Sequence, residues 1–143
     1  MTVYFDSSAV VALLIEEPGS TRAHEVWRAS DTITTSELTF VEVAAGLAQA
    51  ERMRRLRSAD YEAAWEQFTR LWEVFTVIGV GHELVRRAAG LARSHALRGF
   101  DAIQCASALA VSDTSSIAVT GDRRLLAAWR ELGMHTVDTS ASG

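Results

Sequence analysis

The sequence predicts an α/β protein with a mostly parallel sheet that helices cover on both faces. Short β-prone runs alternate with longer amphipathic runs from one end of the chain to the other. This alternation is typical of parallel strands, which need helical crossovers between them. The 143 residues, 48% of them apolar and 22% charged, are enough to bury the core of an ordinary globular protein. We therefore expect a single domain over residues 1–143.

The predicted strands are short runs in which β-branched and apolar residues predominate. Residues 32–35 read Thr-Ile-Thr-Thr, and residues 3–5 read Val-Tyr-Phe. Such continuous runs are expected of strands that are buried on both faces. The five predicted strands cover residues 2–5, 32–35, 76–80, 116–120 and 135–138.

The predicted helices carry apolar residues at spacings of three and four, and turn residues separate them. Pro18 and Gly19 break the first helix, and Gly133 ends the last one in a C′-like position. Residues 98–100, Arg-Gly-Phe, are predicted to interrupt a helix before the next one begins at Asp101. The predicted helices cover residues 8–17, 20–29, 36–55, 58–75, 81–97, 101–111 and 123–132, and residues 139–143 are expected to fray.

An aromatic stripe marks the helix predicted over residues 58–75. Its members are spaced by four, three, four and three residues, which keeps them on one side of the helix; they are Tyr61, Trp65, Phe68, Trp72 and Phe75. We interpret the stripe as packing within a helical hairpin. Part of it, at Trp65, Phe68 and Trp72, is expected to offer apolar surface to a partner.

Composition and charge exclude several classes of protein. The net charge of −4 argues against a protein that coats nucleic acid through bulk electrostatics. The single cysteine, Cys105, excludes an internal disulfide framework and a cysteine-rich zinc site. No apolar run approaches the ~20 residues of a membrane span, and the first residues lack the pattern of a secretory signal. We therefore expect a cytoplasmic protein that does not enter a membrane.

Four acidic residues stand out from their surroundings. Asp6 and Asp122 each follow a predicted strand where a helix begins, and α/β proteins bind ligands at the carboxyl ends of parallel strands. Glu42 and Asp101 lie in helical runs of apolar and small residues, which leave space for another group. Taken one at a time, each acid has a simpler interpretation, the aspartates as helix N-caps and Glu42 as a solvent-facing residue.

The four acids together favour a metal site. Converging carboxylates repel one another unless they are protonated, paired or metal-bound, and the chain has no lysine to pair with them. Hard oxygen ligands suit Mg²⁺ or Mn²⁺, and Mg²⁺ in proteins commonly binds substrate phosphate oxygens as well. The set Asp6, Glu42, Asp101 and Asp122 therefore predicts metal-assisted hydrolysis of phosphodiesters.

The residues around these acids resemble the PIN-domain family, and within it the VapC-type ribonuclease toxins of toxin–antitoxin systems. The resemblance lies in Tyr-Phe-Asp6-Ser-Ser, Thr-Phe-Val-Glu42, Gly-Phe-Asp101-Ala and Val-Thr120-Gly-Asp122-Arg-Arg, in this order. It implies a three-layer PIN-like fold whose five-stranded sheet has the order 3-2-1-4-5. It also implies that the four acids are catalytic and bind metal, with Asp6 and Asp101 as the leading direct Mg²⁺ ligands. Ser8 and Thr120 match family positions that contact the acids or the substrate.

The same resemblance implies an endoribonuclease with protein partners. These are a second copy of the chain in a homodimer and a cognate antitoxin whose C-terminal segment lies across the active-site groove. For the reaction we hypothesise that a metal-activated water attacks phosphorus in line and is oriented by Glu42 or Asp122. Arg123 or Arg124 is expected to stabilise the transition state. A water nucleophile implies 5′-phosphate and 3′-hydroxyl products.

Two other functions are left open by the residues alone. A non-catalytic PIN-fold module would use the same surface to bind RNA or protein. It would lose neither an activity nor its partner in an Asp6→Asn variant, which separates it from a nuclease. A phosphohydrolase with an aspartyl nucleophile would need a second acid two residues after the first, where this chain has Ser8.

Overall fold

Five parallel strands form one sheet, and its central strand is the first in the chain. The computed structural model describes residues 1–140. The strands are β1 (Thr2–Phe5), β2 (Thr32–Ser36), β3 (Thr76–Ile78), β4 (Ile117–Thr120) and β5 (His135–Asp138). They lie in the order β3-β2-β1-β4-β5, and each of the four pairings is parallel. The predicted fold class and strand order are confirmed.

Helices connect the strands. They are α1 (Ser7–Leu14), α2 (Ser20–Ala29), α3 (Leu38–Arg52), α4 (Ser58–Trp72), α5 (His82–Ser94), α6 (Gly99–Val111) and α7 (Arg123–Glu131). Between residues 1 and 140, no helix combines the length and the apolar character that a membrane span requires.

The sheet is covered on both faces, as the alternation of side chains along its strands requires. In β1, Val3 and Phe5 pack into a core formed with α1 to α4, whereas Tyr4 packs into a second core formed with α5 to α7. Val119 and Ala118 of β4 divide between the two cores in the same way. This arrangement confirms the three predicted layers and leaves the carboxyl ends of β1 and β4 side by side.

Several helix boundaries differ from the prediction. Helices α3, α4 and α5 each end three residues earlier than predicted, at Arg52, Trp72 and Ser94. Helix α1 ends at Leu14 instead of residue 17, because Ile15 already has an extended backbone. Helix α6 begins at Gly99, since Ala96 takes a left-handed conformation with φ of 53° and extended Arg98 occupies the N-cap position. Residues 98–100 therefore start a helix, and Asp101 lies in its first turn and is not its N-cap.

The aromatic stripe of α4 packs inward as predicted, so less of it is available to a partner than expected. Phe68 is fully buried, which makes its assignment to a partner surface wrong, and Trp65 and Trp72 pack against the same core. The ring of Phe40 in α3 covers the stripe, with its centroid 5.7 Å from Trp65 and 5.1 Å from Trp72. Phe40 and its neighbour Val41 remain exposed.

The start of the C-terminal tail is ordered by contacts with the end of β4. Thr139 is buried, and its N–H donates to the carbonyl oxygen of Thr120 at 3.0 Å. The expectation that residues 139–143 fray is therefore wrong at Thr139. Residues 141–143 lie outside the described part of the chain.

Candidate active site

Asp6 joins the central strand to helix α1 and is buried. It is the N-cap of α1, since its Oδ1 accepts from the N–H of Ala9 at 2.9 Å. The Ser8 hydroxyl donates to Oδ1 at 2.8 Å, and the Thr120 hydroxyl donates to Oδ2 at 2.5 Å. Asp6 is only 3% exposed. The capping interpretation of Asp6 is thus correct but incomplete, because a cap explains neither this burial nor the two hydroxyl donors.

Burial raises the pKa of Asp6 to about 7. Hydrogen bonds from Thr120, Ala9 and Ser8 lower this pKa because they favour the charged carboxylate, whereas the negative charge of Asp122 raises it. Near neutral pH both forms of the carboxyl group are populated, and a nearby cation would favour the charged form. Groups perturbed in this way are typical of functional sites.

The turn after β4 places a second capping aspartate beside the first. Oδ1 of Asp122 accepts from the N–H of Leu125 at 3.0 Å and so caps α7. The same Thr120 hydroxyl that donates to Asp6 accepts from the N–H of Asp122 at 2.9 Å. One hydroxyl therefore connects the two junctions, as expected of a residue that contacts the acids.

Close packing at Gly121 fixes the shape of this turn. The Gly121 N–H donates to the Ser8 hydroxyl oxygen at 2.9 Å. A Cβ atom at Gly121 would lie 2.9 Å from the Thr139 Oγ1, closer than real Cβ contacts, so any other residue would force the Thr139 side chain to shift. Ser8 thus bridges Asp6 and the backbone of the neighbouring turn, which holds the ends of β1 and β4 together.

Glu42 of α3 is half-buried, and a neighbouring side chain hydrogen-bonds its carboxylate. Its Oε1 accepts from the side-chain amide of Gln104 at 2.7 Å. Burial is the main cause that raises the pKa of Glu42 and the charge of Asp101 adds to it, whereas hydrogen bonds from Gln104 and Ser7 lower it. Glu42 also lines a cavity of about 320 Å³ with Ser7 and Ser8. The solvent-facing interpretation of Glu42 is therefore wrong.

Asp101 lies in the first turn of α6, where the helix dipole favours a negative charge. Burial nevertheless raises its pKa, and the charge of Asp122 raises it further. Arg98 and Arg124 act in the opposite direction. Both arginines predicted to assist the reaction are exposed at the start of α7, and it is Arg124 whose charge lowers the pKa of an acid of the site, Asp101.

Electrostatic coupling connects the four acids into one group. Asp122 raises the pKa of both Asp6 and Asp101, and Asp101 raises that of Glu42. Within residues 1–140, however, no three Asp, Glu, His or Cys side chains are arranged to hold a metal ion as they stand. Asp6 is held by its hydrogen bonds, whereas the other three acids are partly exposed.

The sequence analysis missed Gln104 and Ser7. Gln104 is 1% exposed and contacts Glu42, yet it was passed over as part of an apolar helix. Its position three residues after Asp101, on the same side of the helix, was the available signal. Ser7 reaches Glu42 across the gap between α1 and α3, which only the tertiary structure reveals.

Comparisons with known proteins agree with the fold. A family model described as PIN domain matches residues 3–130. The chain is 43% identical to Ribonuclease VapC45 of Mycobacterium tuberculosis (strain CDC 1551 / Oshkosh) over 126 residues, which are 86% of this chain and 85% of the relative.

Solved structures with low sequence identity share the fold. PAE2754 from Pyrobaculum aerophilum matches with a TM-score of 0.70 at 22% identity, covering 96% of this chain and 92% of that one. A chain of a toxin–antitoxin complex from Klebsiella pneumoniae matches with a TM-score of 0.64 at 20% identity, covering 96% and 97%. With the family model and the VapC45 relative both spanning most of the sequence, the chain belongs to the PIN-domain family, in its VapC branch.

Proposed function

We propose that the protein is a Mg²⁺-dependent endoribonuclease that acts as the toxin of a type II toxin–antitoxin module. The observation that carries this proposal is the buried carboxyl group of Asp6, which two hydroxyls hold beside Asp122 at the end of the central strand. A purely structural cap would be more stable without such burial of charge. The 43% identity to a protein named as a ribonuclease supports the assignment of RNA as substrate.

Mg²⁺, or Mn²⁺ in its place, suits the donor set of the site. The four acids offer hard oxygen ligands, and the raised pKa values of Asp6, Glu42 and Asp101 reflect burial and negative neighbours that a cation would offset. We assign Asp6 and Asp101 as direct ligands, with Asp122 and Glu42 completing the set. When bound, the ion would lower the pKa of a coordinated water and neutralise charge on the phosphate.

The chain's own residues position the acids and handle the proton. Ser8 and Thr120 hold Asp6 and favour its charged form. Glu42 or Asp122 orients the attacking water and accepts its proton. The water oxygen bonds to phosphorus, the bond to the 3′ oxygen breaks, and that oxygen takes up a proton. The products of the cleavage therefore carry a 5′-phosphate and a 3′-hydroxyl.

Arg124 is the cation that we assign to the phosphate of the RNA. It acts on Asp101 together with Arg98, so its guanidinium lies within electrostatic range of the acids. A positive charge there would offset the negative charge that develops during attack. We assign this role to Arg124 in preference to Arg123.

An antitoxin is the protein partner that we propose. The structural neighbour from Klebsiella pneumoniae is described as a toxin–antitoxin complex. Exposed Phe40 and Val41 directly precede Glu42 and offer apolar surface beside the site. The homodimer and the cytoplasmic location stay predictions.

Cleavage of RNA by purified protein tests the proposed function. We expect cleavage of a mixture of transfer and ribosomal RNA in Mg²⁺, none in excess EDTA, and recovery when Mg²⁺ is added back. The new 5′ ends should carry phosphate. The Asp60→Asn variant, which changes an exposed acid in α4, should cleave like the wild type. Equal cleavage in EDTA, or 2′,3′-cyclic phosphate ends, would contradict the proposed mechanism.

A further inference from the structure

Gln104 connects the candidate active site to the buried core. It lies in α6 one turn after Asp101 and is 1% exposed. Its Nε2 donates to Glu42 Oε1 at 2.7 Å and to Thr39 Oγ1 at 3.0 Å, and its Oε1 accepts from the Tyr4 hydroxyl at 2.5 Å. Both amide protons are used, as burial of a polar group requires.

The hydroxyls of Thr35 and Thr39 determine which atom donates in each hydrogen bond of this network. The Thr35 hydroxyl lies 2.6 Å from the carbonyl oxygen of Phe5, which can only accept, and 2.8 Å from the Thr39 hydroxyl. Because Thr35 has one proton and uses it on Phe5, Thr39 donates to Thr35. The Thr39 oxygen is then the acceptor that the Gln104 Nε2 needs. This series of hydrogen bonds begins at the backbone carbonyl of Phe5 in β1, one residue before Asp6.

We propose that Gln104 is a positioning residue for Glu42 and that Tyr4 fixes the amide in the orientation this requires. If the amide were turned over, its Oε1 would face the Glu42 carboxylate and its Nε2 would face the proton that Tyr4 now donates. The contact of Oε1 with the carboxylate would be repulsive, and the Tyr4 hydroxyl would have to give up its present role as donor, so the observed orientation is favoured. The inference rests on the proposed function, in which Glu42 serves the reacting phosphate.

The bond from Gln104 matters because its donor is fully buried, whereas Ser7, which also hydrogen-bonds Glu42, is partly exposed. Glu42 is partly exposed, and its neighbours Phe40 and Val41 face solvent. A buried donor that cannot move restricts the torsions of a long side chain and keeps the carboxylate near Ser7 and the other acids. Loss of such a supporting contact typically costs about 10- to 100-fold in metal affinity or activity.

Gln104→Met tests the proposal, because methionine keeps the length of the side chain and removes the amide. We expect kcat for RNA cleavage to fall about 10- to 100-fold with KM unchanged. Calorimetric titration with Mn²⁺ should show weaker binding. In a Glu42→Gln background, Gln104→Met should cause no further loss of either quantity, because its effect passes through Glu42.

Cys105→Ala is the matched control. Cys105 is the next residue in the same helix, is fully buried and packs in the second core. The substitution should lower the free energy of unfolding and leave kcat and Mn²⁺ affinity unchanged. If Gln104→Met lowers kcat equally in both backgrounds, or if Cys105→Ala lowers kcat as much as Gln104→Met does, Gln104 is merely structural and the proposal is wrong.

Two outcomes separate this inference from the proposed function. If the wild type cleaves RNA in Mg²⁺ and Gln104→Met cleaves equally well, only the inference fails. If the wild type does not cleave, the proposed function fails, and an unchanged Mn²⁺ affinity in Gln104→Met then overturns the inference as well. Should Gln104→Met not fold, Tyr4→Phe removes a single hydroxyl and should give the same pattern with a smaller loss, whereas wild-type values would overturn it.

Discussion

The β1–α1 and β4–α7 junctions have the same local arrangement, but their aspartates differ in burial and in hydrogen-bond donors. Each places an aspartate at the N-cap of a helix, with a backbone N–H bonded to its Oδ1. Asp6, after the central strand, is 3% exposed and also accepts from two hydroxyls. Asp122, one strand further out, is partly exposed. The local motif thus produces the cap, whereas position in the sheet decides how far the carboxyl group is desolvated.

The deeper burial of the aspartate at the β1–α1 junction has an electrostatic cost that is absent at the β4–α7 junction. Burial raises the pKa of Asp6 to about 7, and Asp122 adds to this through its charge. Holding a buried carboxyl group next to another acid opposes folding unless a proton or cation is bound. We infer that this cost is retained at Asp6 because the site needs a carboxylate there.

The largest expected effect is on how stability depends on pH. The pKa of Asp6 is raised in the folded state, so the folded protein holds a proton that the unfolded chain loses from about pH 4 upwards. Stability must then fall as pH rises towards 7, by about 4 kcal/mol for a shift from 3.8 to about 7. Raised pKa values of Glu42 and Asp101 add to the fall.

Urea unfolding in EDTA between pH 4 and pH 8 measures this dependence. The Asp6→Asn variant cannot titrate at this position, so most of the fall should disappear, whereas Asp122→Asn should keep it. Asp31 and Asp113 have lowered pKa values, and their opposite contribution is complete near the acid end of the range. A wild-type stability that rises from pH 5 to pH 7 would contradict the buried, raised Asp6.

A smaller effect is expected from removal of the caps. Asp122→Ala should lower the free energy of unfolding by about 1 kcal/mol, the usual cost of losing an N-cap side chain. Asp6→Ala loses an equivalent cap but also removes a desolvated charge, and the Ser8 and Thr120 hydroxyls, 3.3 Å apart, can then bond to each other. At pH 8 in EDTA it should therefore cost less than Asp122→Ala. A larger loss of unfolding free energy for Asp6→Ala than for Asp122→Ala would contradict the difference we propose between the two junctions.

The sheet and the strand-end positions of Asp6 and Asp122 could be predicted because both depend on local patterns. Apolar runs such as Val3-Tyr4-Phe5 identify the strands, and the parallel order then brings strand-end acids to one edge. Asp6 and Asp122 lie together for this reason. The family resemblance supplied the strand order, which the alternation alone does not determine.

The remaining features depend on tertiary contacts that no local pattern encodes. The start of α6 follows from a left-handed Ala96, a conformation that alanine rarely adopts. Burial of Gln104 depends on partners from β1 and α3. Thr139 is ordered by a hydrogen bond to the carbonyl oxygen of Thr120 at the end of β4. Gln104 and Thr139 were missed because their causes lie elsewhere in the chain, and the start of α6 because the residue type of Ala96 does not indicate its backbone conformation.

Calorimetric titration of Mn²⁺ into the Asp6→Asn and Asp122→Asn variants tests the central claim most directly. Asparagine is as good an N-cap as aspartate, so both variants should remain folded and any loss reports the charge. We expect Mn²⁺ affinity to fall most in Asp6→Asn, by more than the roughly 100-fold that loss of a supporting contact costs. Wild-type Mn²⁺ affinity in Asp6→Asn would contradict the account and leave Asp6 as a buried cap.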